Sequence, residues 1–164
     1  MQVQDGGRGQ KGLMVSKPPI SHSMVVASTT SAVEEVCKWI LSKLEANHYS
    51  QEDIFAVHLA LAEAFINAVE HGNKLDPKKE VKVDYSVDTD KVEIAMTDEG
   101  PGFDPGIIPD PRRGENLYKA KGRGLLLIRS YMDIVEFNQK GNCLRMVRFK
   151  EKPRFTEARG RGEI

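Results

Sequence analysis

A glutamate and an asparagine four residues apart are the first pair in this sequence whose types and spacing could do chemistry. Glu63 and Asn67 lie in a segment, residues 51–71, whose apolar side chains recur with a helical period. Residues four apart are neighbours on one helix face, so the carboxylate and the amide lie side by side. Ala56 and Ala60 share their stripe and leave room for a ligand. The alternative interpretation is the solvated face of an amphipathic helix.

A glycine-rich segment with a leading aspartate follows a predicted strand. Its sequence is DEGPGFD, residues 98–104, in which Gly100 and Gly102 flank a proline. Such glycines let the backbone approach a bound molecule closely. Asp98 is placed to accept a hydrogen bond from an amino group, because a partly buried carboxylate needs a partner. An ordinary turn, for which these residue types are typical, is the alternative.

A third segment, KGRG at residues 121–124, opens a predicted helix. Helix N-termini present unpaired N–H groups and partial positive charge, and therefore hold phosphates. Gly122 and Gly124 would let the backbone wrap around an anion, while Lys121 and Arg123 add positive charge. The segment matches neither a Walker A loop nor the glycine pattern that follows a strand in dinucleotide-binding folds. A flexible loop before an ordinary helix is the alternative.

The elements that must position these segments follow from hydrophobic period, which changes along the chain from helical to alternating. We predict helices at 31–46, 51–71 and 125–132, and strands at 20–27, 81–87, 92–97, 133–137 and 143–150. Ser31 has capping-box spacing to Glu34, and Ser50 is placed to cap the second helix. Residues 98–121 form a long loop of the kind that serves as a lid. Segregated helices and strands favour an α+β sandwich, with helices on one face of a mostly antiparallel sheet.

Length and composition indicate one globular domain. The chain has 164 residues, and we expect the domain at 15–152, between a disordered segment at 1–14 and a flexible tail at 153–164. The 24 basic and 24 acidic residues cancel, which argues against a general nucleic-acid binder. No apolar run is predicted to span a membrane. The two distant cysteines, Cys37 and Cys143, fit a reducing cytoplasm.

The three segments together resemble the GHKL ATPase superfamily. The sequences LAEAFINAVEHG, TDEGPGFD and GRGLLLIRSYMD are similar to those of bacterial anti-sigma-factor serine kinases, and the likeness spans about residues 20–150. The resemblance implies a two-layer α/β sandwich with helices on one face of a mixed, mainly antiparallel sheet. It further implies that ATP binds between the layers, beneath a lid.

The resemblance also assigns roles to individual residues. Glu63 matches the family's proposed general base, Asn67 the asparagine that binds Mg²⁺, and Asp98 the aspartate that bonds the adenine amine. The other residues implied to bind nucleotide are His71, Gly100, Gly102, Phe103, Lys121, Gly122, Arg123, Gly124 and Leu125.

Two departures from the family pattern concern the lid. A proline-rich stretch at 105–111 does not align position by position, and Leu125 stands where some superfamily members have a third glycine.

The resemblance implies an ATP- and Mg²⁺-dependent protein serine kinase in the cytoplasm. Such a protein phosphorylates a serine of a STAS-domain antagonist and binds a sigma factor, without touching nucleic acid or a membrane, and a homodimer is left open. Two alternatives also stay open. One is a non-catalytic module in which ATP or ADP controls partner binding, and the other is a catalytic domain that acts on a histidine of a separate chain.

Overall fold

The computed structural model describes residues 21–107 and 120–151. Its helices and strands are β1 (Ser21–Ala27), α1 (Val33–Ala46), α2 (Gln51–Asn67), β2 (Glu80–Val87), β3 (Lys91–Asp98), α3 (Ala120–Tyr131), β4 (Ile134–Phe137) and β5 (Cys143–Phe149). The segments 1–14 and 153–164, predicted to be disordered and flexible, and most of the predicted lid lie outside the described residues.

The five described strands form one sheet in the order β1-β2-β3-β5-β4. Each pairing is antiparallel, and Ile94 of β3 lies between Tyr85 of β2 and Met146 of β5. The helices pack against this sheet, so the predicted α+β fold with a mainly antiparallel sheet is confirmed. The central place of β3 matters for the site, because Asp98 is its last residue.

Alternating side chains of β2 and β3 bury one face of the sheet. Val81, Val83, Val92 and Ile94 are fully buried, whereas polar residues between them face the other side. Burying each such aliphatic side chain stabilises the fold by about 1.5–3 kcal/mol. The turn between the strands is held by Asp88, whose Oδ1 accepts the N–H groups of Asp90 and Lys91 at 2.7 and 2.8 Å.

One predicted helix cap forms and the other does not. Ser50 caps α2, since its Oγ accepts the Asp53 N–H at 3.0 Å. The capping box predicted at Ser31 is wrong. That residue lies in a 3₁₀ turn, Thr30–Ala32, and its hydroxyl lies 3.2 Å from Thr29 Oγ1, while α1 begins only at Val33. The local spacing was that of a cap, but the helix starts too late to use it.

The second helix is the central element of the core. Together with a π-helical turn at Ala68–Gly72 it forms a segment long and apolar enough to cross a membrane by length and composition. Inside this fold, however, Val57, Leu61 and Phe65 are fully buried against the rest of the protein. Core packing accounts for the apolar composition, so the segment is weak evidence for a membrane span.

Candidate nucleotide-binding site

The predicted pair on α2 lies directly against α3. A Cβ atom added at Gly124 would overlap Glu63 Oε1 and would lie 3.0 Å from Asn67 Nδ2. Because Gly124 has no side chain, the end of the Glu63 side chain can lie directly beside the α3 backbone. The structure thus brings Glu63 and Asn67 next to Gly124, which lies more than fifty positions later in the sequence.

A second contact forms at the other end of this region, where the π-helical turn meets the end of β3. A Cβ at Gly72 would collide with the Asp98 carboxylate, and one at Gly100 would collide with the Gly72 carbonyl. Short π-helical segments inside α-helices often occur at functional sites. This one ends α2 earlier than the uninterrupted helix predicted to residue 71, and it delivers Gly72 to the carboxylate.

The Asp98 carboxylate is half-buried and accepts a hydrogen bond. Burial raises its pKa, while the Gly100 N–H, 2.8 Å from Oδ1, and the positive charges of Lys140 and Lys79 act in the opposite direction. Because Oδ1 is already bonded to Gly100, the carboxylate is oriented rather than free to rotate. Such a group suits recognition of an amino group on a ligand.

The Gly102–Phe103 segment is fixed by the turn between β4 and β5. Gly102 has φ +74° and Gly141 has φ +76°, a left-handed conformation that favours glycine. A Cβ on either one would collide with backbone atoms of the opposite segment, Lys140 or Phe103. Phe103 donates its N–H to the Lys140 carbonyl at 3.0 Å. Its ring packs edge-on against Phe137, with centroids 4.9 Å apart.

The remaining predicted residues fall around these contacts. His71 lies half-buried in the π-helical turn, Arg123 is exposed, and Leu125 is buried. Lys121, Gly122, Arg123 and Gly124 lie inside the first turns of α3, which begins at Ala120. The prediction that these residues precede the helix is therefore wrong, because α3 starts five residues earlier than its apolar period indicated. The roles of all these residues toward a nucleotide stay predictions.

One residue that the sequence analysis did not single out is central to this region. Asn73 is fully buried, and its side chain makes three hydrogen bonds, to Ser28, Glu80 and Glu99. In the sequence, Asn73 stands immediately after Gly72, the glycine that marks the end of the predicted helix. Turn residues commonly occupy that place, so the pattern alone did not separate a core asparagine from a surface turn.

The donor set fits a magnesium ion that is bound mainly through phosphates. Among the described residues there is no group of three or more His, Cys, Asp or Glu side chains that could hold a metal ion. Mg²⁺ usually keeps several waters and takes few protein ligands besides substrate phosphates. Asn67 has one amide oxygen that could ligate a cation, while its amide nitrogen faces Gly124, 3.0 Å from where a Cβ of that residue would stand. That combination fits Mg²⁺ arriving with a nucleotide.

Comparison with known proteins identifies the family of this chain. Residues 26–148 match the family model of the histidine kinase-like ATPase domain. The serine-protein kinase RsbW of Bacillus licheniformis is 34% identical over 116 residues, which are 65% of this chain and 71% of that protein. The serine-protein kinase RsbW of Bacillus subtilis is 31% identical over 108 residues, which are 62% of this chain and 68% of that protein.

A solved structure shares the fold. The crystal structure of the RsbU and RsbW domains of a Mycobacterium tuberculosis protein superposes with a TM-score of 0.52 at 16% identity. The match covers 82% of this chain and 34% of that longer one. At 16% identity this similarity establishes the fold alone. The match to the family model over residues 26–148 establishes the family. The chain belongs to the histidine kinase-like ATPase domain family.

Proposed function

We propose that this protein is an anti-sigma protein kinase that uses ATP and Mg²⁺ to phosphorylate a serine of a STAS-domain antagonist. The observation that carries the proposal is the contact of Glu63 and Asn67 with Gly124. A proton acceptor, a cation ligand and the start of a helix meet there. Asp98 lies further along, where the π-helical turn that follows α2 meets the end of β3. The kinship to chains named serine-protein kinase supports phosphorylation of serine.

The nucleotide base belongs at the Asp98 end of the site. Asp98 would accept the adenine amine, and Gly100 and Gly102 would let the backbone lie close to the ring. Phe103, fixed against Phe137, offers an aromatic surface next to those glycines. The phosphates would then extend toward Asn67 and the first turn of α3, where the helix N-terminus and Arg123 favour negative charge.

Phosphoryl transfer needs positioning, a proton acceptor and charge stabilisation. Glu63 would take the proton of the acceptor serine hydroxyl. The serine oxygen forms a bond to the γ-phosphorus as the bond from that phosphorus to the β–γ bridging oxygen breaks, and ADP leaves with that oxygen. Asn67 would hold Mg²⁺, which when bound neutralises charge on the phosphates. Arg123, in the first turns of α3, would add positive charge, and Lys121 stays a predicted contributor.

The same site gives a way to regulate binding of a partner. ATP and ADP could stabilise different arrangements of α3 and the predicted lid, and a sigma factor would then bind one arrangement more tightly. The change in sigma-factor affinity is limited by how differently each nucleotide binds the two arrangements. A soluble protein in the cytoplasm, acting alone or as a homodimer and without direct contact to DNA, fits this role.

The test is phosphate transfer from γ-labelled ATP to purified STAS-domain proteins of the source organism. Glu63→Gln should lower the rate by about 10²- to 10⁴-fold, the usual contribution of a general base, while ATP affinity stays within about threefold. Glu52→Gln, an exposed glutamate on the same helix, is the matched control and should leave the rate unchanged. An ATP-binding wild type that labels none of these proteins would support the non-catalytic module instead.

A further inference from the structure

The side chain of Asn73 joins three parts of the fold at the base of the candidate site. Its Nδ2 donates to Ser28 Oγ at 3.0 Å and to the Glu80 carbonyl at 2.9 Å, and its Oδ1 accepts the Glu99 N–H at 2.8 Å. A backbone carbonyl only accepts and a backbone N–H only donates. An amide of this size meets both needs, whereas an aspartate or a leucine would leave buried groups unpaired.

The backbone N–H that Asn73 holds lies between two residues of the site. Glu99 follows Asp98, whose carboxylate is predicted to recognise the base, and precedes Gly100, whose N–H orients that carboxylate. On the other side, Asn73 follows Gly72, which lies against the same carboxylate. Asn73 therefore links the end of the π-helical turn to the end of β3 at the point where the two segments meet.

A second bond closes the arrangement into a ring. The Glu99 side chain accepts the Glu80 N–H at 2.6 Å, while the Glu80 carbonyl accepts from Asn73. The ring of Asn73, Glu80 and Glu99 lies on the Asp98 side of the region. Glu63 and Asn67 belong to α2, before the π-helical turn, and contact α3 instead.

We infer that Asn73 is a positioning residue for base recognition, acting through the Glu99 backbone to hold the Asp98 carboxylate against Gly72. This inference rests on the nucleotide-binding function proposed above. The site has a base half at Asp98 and a phosphate half at Asn67 and the first turn of α3. Loss of the Asn73 side chain should weaken selection of the base and leave phosphate binding unchanged. A residue that served only the stability of the fold would weaken both halves together.

The experiment titrates ATP, ITP and inorganic tripolyphosphate, each with Mg²⁺, into wild type and Asn73→Ala by calorimetry. ITP carries an oxygen where ATP carries the amine, so the ratio of the two affinities reports on Asp98. We expect Asn73→Ala to weaken ATP about tenfold, the effect of roughly one hydrogen bond, and to reduce the preference for ATP over ITP. Tripolyphosphate affinity should stay within about twofold.

Two controls separate the outcomes. Ser28→Ala removes one bond to Asn73 but spares the bond to Glu99, and it should keep the preference for ATP. Parallel losses of ATP and tripolyphosphate in Asn73→Ala, or an unchanged ATP-to-ITP ratio, would overturn the inference while the proposed function stands. A folded wild type that binds no ATP would overturn both.

A measurement on the wild type covers the case in which Asn73→Ala does not fold. The Glu99 amide should resist hydrogen exchange without nucleotide as strongly as the amides of β3, because the Asn73 bond is present before any ligand binds. Exchange as fast as in an exposed loop would show that Asn73 does not hold this segment, and would overturn the inference.

Discussion

Replacing Gly124 by alanine should separate stability from activity in this protein. Gly124 is the fifth residue of α3, and alanine in a helix interior is about 1 kcal/mol more favourable than glycine. The added Cβ would overlap Glu63 Oε1 and lie 3.0 Å from Asn67 Nδ2, both ends of side chains that can rotate away. Moving them costs little folding energy, but it displaces the proposed general base, Glu63, and the proposed cation ligand, Asn67.

The expected result for Gly124→Ala has two parts. The unfolding free energy in urea stays unchanged or rises by up to about 1 kcal/mol. The rate of phosphate transfer falls by about 10²- to 10⁴-fold, since proton transfer contributes that much.

Ser130→Ala is the matched control, because it raises helix propensity on an exposed face of the same helix. It should leave the transfer rate unchanged. Equal transfer rates for Gly124→Ala and wild type would refute the reasoning, as would a loss of stability large enough to explain the loss of activity.

Three further changes test other parts of the structure. Arg148→Ala should cost about 3–5 kcal/mol in urea unfolding, because it leaves the fully buried Asp53 carboxylate without the guanidinium that lies 2.8 Å away; Arg145→Ala, whose ion pairs are more exposed, should cost about 1 kcal/mol or less. Ser50→Ala should cost about 1 kcal/mol in the same assay through loss of the α2 cap. Burial raises the pKa of the Asp98 carboxyl in the folded protein, so wild type loses folding stability as pH rises from about 4 to 7 and this group loses its proton. Asp98→Asn has no such proton to lose, so its stability relative to wild type should increase over the same pH range. Equal pH slopes for Asp98→Asn and wild type would contradict this last expectation.

The sequence was sufficient for elements whose pattern follows from one-sided burial. Alternation at Val81 and Val83, and again at Val92 and Ile94, reflects a sheet with helices on one face, and the structure buries all four. Ser50 was predictable because a cap is a local interaction between residues three apart. Glu63 and Asn67 were recognisable as a pair because helical spacing alone makes them neighbours.

Interactions between distant residues were beyond prediction from a single sequence. Asp53 reads as part of a polar helix stripe, yet it is fully buried and bonded to Arg148, 95 positions away. Arg148 also donates to the Tyr131 carbonyl at 2.7 Å and so ties the end of α3 to the start of α2. No local pattern names such a partner, and the same holds for the three bonds of Asn73.

The starts of helices were predicted less well for a related reason. The hydrophobic period around Leu125 indicated where α3 packs, but the helix begins at Ala120, and Gly124, which lies against α2, carries no apolar signal. Ser31 shows the opposite error, since a local signal was present and the helix did not use it. A helix boundary depends on tertiary contacts that neither signal contains.

We propose that Asp98 and the pair on α2, Glu63 and Asn67, together bind ATP. Calorimetric titration of ATP with Mg²⁺ into wild type, Asp98→Asn and Asp84→Asn tests it directly. Asp84 lies on the outward face of the sheet, paired with Lys82, and serves as the matched control. We expect wild type and Asp84→Asn to bind alike and Asp98→Asn to bind at least about tenfold more weakly. A folded wild type without ATP binding, or equal affinities for all three proteins, would contradict the claim.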